Sequence, residues 1–347
     1  MKPEFREKWE KVIPLLENSD KIFVFTHVNV DGDALGSSSA FCLALRELGL
    51  DAHMFIDAMP CYDISYMLPE GDYVHVGPEA SEIFSERTCG ISVDASAKTR
   101  IAPGLFALYE KLPVKIKFDH HEMSEGWDFA DFDFTDPHWS AACQGITAFI
   151  TELYERAGKP LSYEVAVRLY SGIVTDTGGF SNSGTTPEAM VTAAELLKII
   201  DRDVTWIFRR NFDDRPEPVA RLLGEVFSGM EAYNEGKILL YAAPQEVFEK
   251  TGTSAAEFGV AVAEINKTLG CKIAVTLRYD PVDGSGITEG SGAVKVSMRS
   301  VKGISAEKIC KEFGGGGHEC AAGATVMGTL ESVKKTVLEK AFEACGL

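Results

Sequence analysis

The stretch Phe25-Thr-His-Val-Asn-Val-Asp-Gly-Asp-Ala-Leu-Gly-Ser-Ser38 decides how the rest of the chain is read. Within seven residues it presents an imidazole, His27, and two carboxylates, Asp31 and Asp33. The apolar run Lys21-Ile-Phe-Val-Phe25 ahead of it predicts a buried strand. Gly36 and three serines follow, then Phe41, Leu45 and Leu48 at helical spacing, stopped by Gly49. The cluster is therefore expected in a strand-to-helix loop, where open parallel sheets place their ligands. Imidazole with carboxylates suits a harder divalent ion such as manganese better than a thiolate-seeking one. Alone, an Asp-Gly-Asp loop is also compatible with a plain turn or a calcium site.

Working outward, strand and helix alternate. Residues 52–56 read as a second strand and 61–68 as a short helix. Gly90-Ile-Ser-Val-Asp94 is an apolar strand ending in an aspartate, and Val114-Lys-Ile-Lys-Phe-Asp119 runs straight into His120-His121. Helices are expected over 141–157 and 162–173, the second leading into Val174-Thr-Asp-Thr-Gly-Gly-Phe180. This order predicts an α/β fold with a doubly wound parallel sheet. Asp94 and Asp119-His-His121 then stand at strand ends equivalent to the first loop, so the clusters converge in one crevice. Before the first strand, the N-terminal stretch reads as an amphipathic helix with Trp9, Val12, Ile13 and Leu16 inward.

Helical patterns occupy 189–200, 205–211 and 219–230, interrupted by Asp213-Asp-Arg-Pro-Glu-Pro218. Strands are expected at 237–242, 272–278 and 293–299, with a glycine- and serine-rich hairpin loop at 281–292 and a C-terminal helix. The domain division expected is a two-metal catalytic domain at 1–190, a helical linker at 191–232, and a smaller α/β substrate-binding domain with a mixed sheet at 233–347, with a cleft between the domains.

Composition sets the bounds. Hydrophobic residues make up 45% and charged residues 25%, as in an ordinary globular protein. No apolar run approaches the ~18 residues a bilayer span needs, and the charged N-terminus has no signal-peptide core; a cytoplasmic protein with no membrane partner is expected. The eight cysteines show no paired metal spacing, so buried reduced thiols are expected. The net charge of −18 opposes non-specific binding to long nucleic acid but leaves room for a short anion held locally.

His27, Asp31, Asp33, Asp94, His120 and Asp176 exceed what one ion needs. They suit two divalent ions held roughly 3.5–4 Å apart, an arrangement that activates water and neutralises a phosphoryl group. His121 cannot share the direction of His120 on extended backbone, so it is better placed to meet a phosphate oxygen or a leaving group. His53, His75 and His138 read as structural. In the second domain Gly314 to Gly317 offer successive amides, before His318, that could wrap an anion, and Arg299 adds a phosphate-matching fork.

These motifs together resemble the DHH phosphoesterase superfamily, named for the triplet seen here as Asp119-His120-His121. The resemblance includes His27-Val-Asn-Val-Asp31-Gly-Asp33, Val93-Asp94, Thr175-Asp176-Thr177-Gly178 and Gly314-Gly-Gly-Gly-His318-Glu-Cys-Ala321-Ala-Gly323. Length and the last motif look most like its nanoRNase and pAp phosphatase (NrnA-type) branch. It implies two manganese ions, with magnesium or cobalt as alternatives. One would take His27, Asp31 and Asp94; the other would take Asp33, Asp94, His120 and Asp176, with Asp94 bridging. It implies His121 at the phosphate and Asp119 orienting the histidines, while Arg299, Gly315, Gly316, Gly317 and His318 hold substrate. The family usually has proline before Asp31; Val30 here puts the loop geometry in question. The substrates implied are short RNA and 3′,5′-bisphosphonucleosides, by phosphoester hydrolysis. Alternatives are linear or cyclic dinucleotides, then pyrophosphate or polyphosphate. A RecJ-like exonuclease needs a longer, more basic chain, and a silent nucleotide-binding protein would not need all six ligands. Assembly as a monomer or homodimer is left open.

Overall fold

The computed structural model describes residues 1–77, 85–122, 125–280 and 292–346, excepting the side chains of Asp280 and His318. The expected loop at 281–292 falls almost wholly outside the described residues. The chain forms two compact units, Met1–Asp214 and Arg215–Leu347.

In the first unit six strands make one sheet: β1 (Lys21–Phe25), β2 (Ala52–Ile56), β3 (Val74–Val76), β4 (Thr88–Val93), β5 (Val114–Asp119) and β6 (Phe132–Thr135). Their spatial order is β3-β2-β1-β4-β5-β6 and every pairing is parallel. The order reverses between β1 and β4, so the crevice of this doubly wound sheet opens where His27 and Asp94 leave their strands.

Helices cover both faces. On one lie α1 (Pro3–Glu17), α2 (Gly32–Glu47), α4 (Ala142–Arg156) and α5 (Tyr163–Asp176); on the other lies α3 (Pro103–Tyr109). α1 turns Trp9, Val12, Ile13 and Leu16 inward, all buried. The Trp9 indole meets Phe149 edge-on at 5.0 Å and fills the space under β5 and β6. α6 (Pro187–Ile200), α7 (Thr205–Phe208) and a π-helical turn at Arg209–Asp213 complete the unit. The stretch at 61–68 contracts to a 3₁₀ turn at Ser65–Met67.

The second unit runs α8 (Glu217–Gly229), β7 (Glu231–Tyr233), β8 (Ile238–Ala242), α9 (Glu246–Thr251), α10 (Ala261–Asn266), β9 (Ile273–Asp280), β10 (Gly292–Ser300), α11 (Ala306–Glu312), β11 (Gly316–His318), β12 (Ala321–Gly328) and α12 (Leu330–Ala344). Its sheet has the order β11-β12-β10-β9-β8-β7, parallel only between β8 and β9. The segment 191–232 is shared between the units rather than standing apart. α6 packs into the first core through Ala193, Leu196 and Ile200, and α8 into the second through Leu222 and Val226.

Candidate metal centre

Beyond β1 the chain leaves the sheet through Thr26–Val30. Asn29 adopts a left-handed φ of 55°, and its N–H donates to Asp57 Oδ2 at 3.0 Å. Val30, standing where the resembled family carries proline, is buried instead. Asp31 caps α2: Oδ1 accepts the N–H groups of Asp33 and Ala34 at 3.1 and 3.0 Å. Its Oδ2 faces His27 Nε2 at 3.4 Å. His27 Nδ1–H donates to the Val28 carbonyl at 2.7 Å, which leaves the Nε2 lone pair aimed into the crevice.

Asp33 is 1% exposed and sits on the first turn of α2. Its Oδ2 accepts the Ala142 N–H at 2.5 Å and its Oδ1 the Cys143 N–H at 2.9 Å. The positive end of α4 thus holds the carboxylate. Those two amides are site groups that no side-chain motif could announce. α2 reaches this position because glycines let helices close: a Cβ on Gly36 would lie 2.7 Å from the Arg168 carbonyl. One on Gly172 would lie 2.3 Å from Cys143 Sγ.

Asp94 follows β4 with a left-handed φ of 55°. Its Oδ2 lies 3.5 Å from His27 Nε2 and its Oδ1 3.3 Å from His120 Nε2. Oδ1 is buried yet makes no hydrogen bond. His120 Nε2 also lies 3.9 Å from Asp33 Oδ2 and 3.6 Å from Asp176 Oδ2. Asp119, at the end of β5, accepts from the His120 N–H at 2.8 Å and from His121 Nδ1–H at 2.8 Å, which directs His121 Nε2 outward. All eight first-unit residues expected at the site therefore converge. The ligand atoms fall into overlapping groups: His27–Asp31–Asp94, Asp33–His120–Asp176 and Asp94–His120–His121. Within each group the atoms lie within 4.8 Å of one another.

Carboxylates crowded in a buried space demand positive charge. Burial alone would depress the imidazoles, but Asp31 and Asp94 push His27 up to about 10, and Asp94, Asp33 and Asp176 push His120 up to about 10. Burial, then the charges of Asp94 and Asp176, raise Asp33 to about 8. Burial raises Asp176 to about 6 against the pull of His120. Burial opposes ionisation of Asp94, but His120 and His27 hold it well below the usual range. His121 is lowered by burial and raised more strongly by Asp119 and Asp94. The donor set of imidazole nitrogens and carboxylates, with one orphaned buried oxygen, fits divalent ions.

In the second unit part of the glycine run expected to wrap an anion is engaged by the chain itself. Gly314 N–H donates to Lys311 O and Gly315 N–H to Cys310 O, so both amides close the end of α11. Gly316 to His318 pair with β12. Gly315 and Gly317 are glycine because a Cβ would come within 2.2 Å of the Gly323 carbonyl and 2.4 Å of the Ala321 carbonyl. Two of the four amides are thus used within the chain, while Gly316 and Gly317 lie on β11, an edge strand of the sheet. What it borders is a cationic sheet face. β10 buries Val294, Val296 and Met298 on one side and turns Lys295, Ser297 and Arg299 to the other. Register sets Lys295 beside Arg278, and Arg299 between Ala274 and Ala321. Burial lowers the Arg299 pKa, and among the described residues it has no carboxylate partner. Lys295 and Arg278 escaped the sequence reading because alternation marks a strand's faces but not which strands adjoin. The His318 side chain lies outside the described residues.

The remaining histidines are elsewhere. His53 Nδ1 and His75 Nε2 share a hydrogen bond at 3.0 Å, while His138 is 89% exposed beside Asp136. The cysteines are all free, five of them buried. No helix among the described residues is long and apolar enough to cross a membrane.

A doubly wound sheet with this ligand cluster at its switch point defines a class: the chain belongs to the DHH family of phosphoesterases, metal-dependent hydrolases of phosphoric ester bonds. Residues 21–173 match the DHH family, N-terminal domain, and residues 237–346 the DHHA1 domain. The chain is 30% identical to the bifunctional oligoribonuclease and PAP phosphatase NrnA of Thermus thermophilus, over 98% of this chain and 95% of that one. An exopolyphosphatase-related protein from Bacteroides fragilis has a similar crystal structure, with a TM-score of 0.81, 26% identity, and 97% and 96% of the two chains covered. A probable manganese-dependent inorganic pyrophosphatase of Bacillus cereus is 29% identical over 53% of this chain and 57% of its own.

Proposed function

We propose that the protein hydrolyses short oligoribonucleotides to mononucleotides and 3′,5′-bisphosphonucleosides to nucleoside monophosphates, using two divalent ions, manganese first among them. The observation that carries the reading is Asp94, whose two oxygens are divided between a His27-centred and a His120-centred ligand group. His27, Asp31 and Asp94 would hold one ion; Asp33, Asp94, His120 and Asp176 would hold the other. Such ions lower the pKa of bound water and neutralise phosphoryl charge.

The chain's own residues do the rest. The α4 amides fix Asp33, and Asp31 is fixed by its capping bonds, so neither carboxylate swings away when a substrate phosphate arrives. The raised pKa of His121 keeps its imidazole protonated further toward neutral pH. With Nδ1 engaged by Asp119, Nε2–H donates to a phosphate oxygen or gives its proton to the leaving oxygen. Arg278, Lys295 and Arg299 supply positive charge for a short anion on a chain whose net charge of −18 disfavours long ones. The nucleic-acid and phosphatase activities named for the Thermus thermophilus relative support this choice.

Purified protein with manganese, incubated with di- to pentanucleotides and with pAp, tests the proposal. Mononucleotide from the first and phosphate from the second are expected. Release from neither overturns it.

A further inference from the structure

A second cluster in the first unit has no part in metal holding. In the loop after β2, Met59 is 64% and Tyr62 60% exposed. The guanidinium of Arg210 lies 3.9 Å from the centroid of the Tyr62 ring, and its Nη2–H donates to the Tyr62 carbonyl at 2.9 Å. Arg210 makes no ion pair among the described residues. Trp206, 38% exposed, meets Tyr66 edge-on at 4.9 Å beside it.

Pinning the π-helical turn to the loop explains the Nη2 bond. It does not explain why the outer face of Tyr62 is left in water beside an unpaired cation, with Met59 exposed as well. The cluster joins the metal loops at two points. Asp57, which opens its loop, accepts the Asn29 N–H at 3.0 Å. Phe208 and Phe212 close on Gly179, where a Cβ would lie 3.4 and 3.5 Å from their rings, in the turn that follows Asp176. Phe180, next in that turn, is held at a left-handed φ of 66°, a conformation an aromatic residue rarely adopts.

We propose that Tyr62, backed by Arg210, is a nucleobase-stacking subsite for one nucleotide of a short oligoribonucleotide whose scissile phosphate lies at the metal centre. This rests on the proposed function. One ring face is occupied by a planar cation and the other is open, so a base completes the stack regardless of its identity, as single-strand binders do. A bisphosphonucleoside carries only one base, so the subsite favours oligonucleotides over it.

The test uses manganese-loaded full-length protein and three substrates: diadenylate, and diadenylate lacking either its first or its second base. The wild type is expected to prefer the complete dinucleotide over one of the abasic forms by about tenfold or more in kcat/KM, seen mainly in KM. Tyr62→Ala should erase that preference, and Tyr62→Trp should keep it. Because Tyr62 is exposed, either variant is expected to fold, checked by an unchanged melting temperature. If Tyr62→Ala retains the wild-type preference, the subsite is wrong while the proposed function stands. If the wild type cleaves none of the three, the oligonucleotide reading fails and the subsite with it.

Discussion

Asp94 shows at a single residue why the site is strained and acidic together. To divide its oxygens between His27 and His120 it takes a left-handed φ that costs of order 1–3 kcal/mol and survives only where surroundings enforce it. Asp94→Asn keeps the volume but removes the charge shared by both groups. It should lose bound manganese, measured by elemental analysis after gel filtration, and hydrolysis with it. His121→Ala should behave differently: metal content stays while kcat falls about 10²- to 10⁴-fold, the usual worth of a positioned proton donor. The metal-free protein should also respond to pH in a defined direction. His27 and His120 sit at about 10 against an ordinary 6.5, so the stability they contribute is complete below 6.5 and lost as pH climbs toward 10. Asp33, raised to about 8 from 3.8, works in the same sense between those values. Chelated protein should therefore melt at a lower temperature at pH 9 than at pH 6.5, and manganese should flatten the difference. A melting temperature that rises over that window contradicts the charge balance described. The convergence of the six candidate ligands was legible because imidazole and carboxylate at consecutive strand ends form a pattern that chance rarely makes. The partners of Asp33 were not, because Ala142 and Cys143 act through backbone amides that any residue could supply.

At the scale of elements, glycine carries the close contacts. Gly172→Ala would drive a methyl group into Cys143 Sγ and to 3.0 Å from Asp33 Oδ1. Overpacking of this kind costs about 1–3 kcal/mol. It should lower the denaturant midpoint and weaken manganese binding together, since the displaced atoms hold Asp33. Gly315→Ala should disturb the second unit instead, because its methyl group meets the Gly323 carbonyl; metal content should not change. The long helices were readable from period and caps, as with Trp9, Val12, Ile13 and Leu16 on α1. The edge strands β3 and β6, of three and four residues, and the seven-residue α3 were not. Segments that short hold too few residues to show a period, and neighbouring strands rather than their own sequence make them regular.

For the molecule as a whole, the two compact units predict two calorimetric transitions. All six candidate metal ligands fall between residues 27 and 176, so manganese should move only the first unit's transition. At a free concentration a hundredfold above Kd the gain is about 2.7 kcal/mol. Equal shifts in both transitions would mean that the units unfold as one. The sequence by itself determined the alternation that makes a parallel sheet, the six candidate ligands and the net charge of −18. All of these follow from local pattern or from composition. Only the tertiary structure decided the rest. The strand order put His27 and Asp94 at one switch point, and α4 turned its positive end onto Asp33. Strand register made a cationic face from Arg278, Lys295 and Arg299, and two amides of the glycine run beside it closed the end of α11. Arg210 came to rest on Tyr62, 148 positions away in the chain. Such juxtapositions depend on which elements pack together, a property of the whole core that no local window of sequence contains.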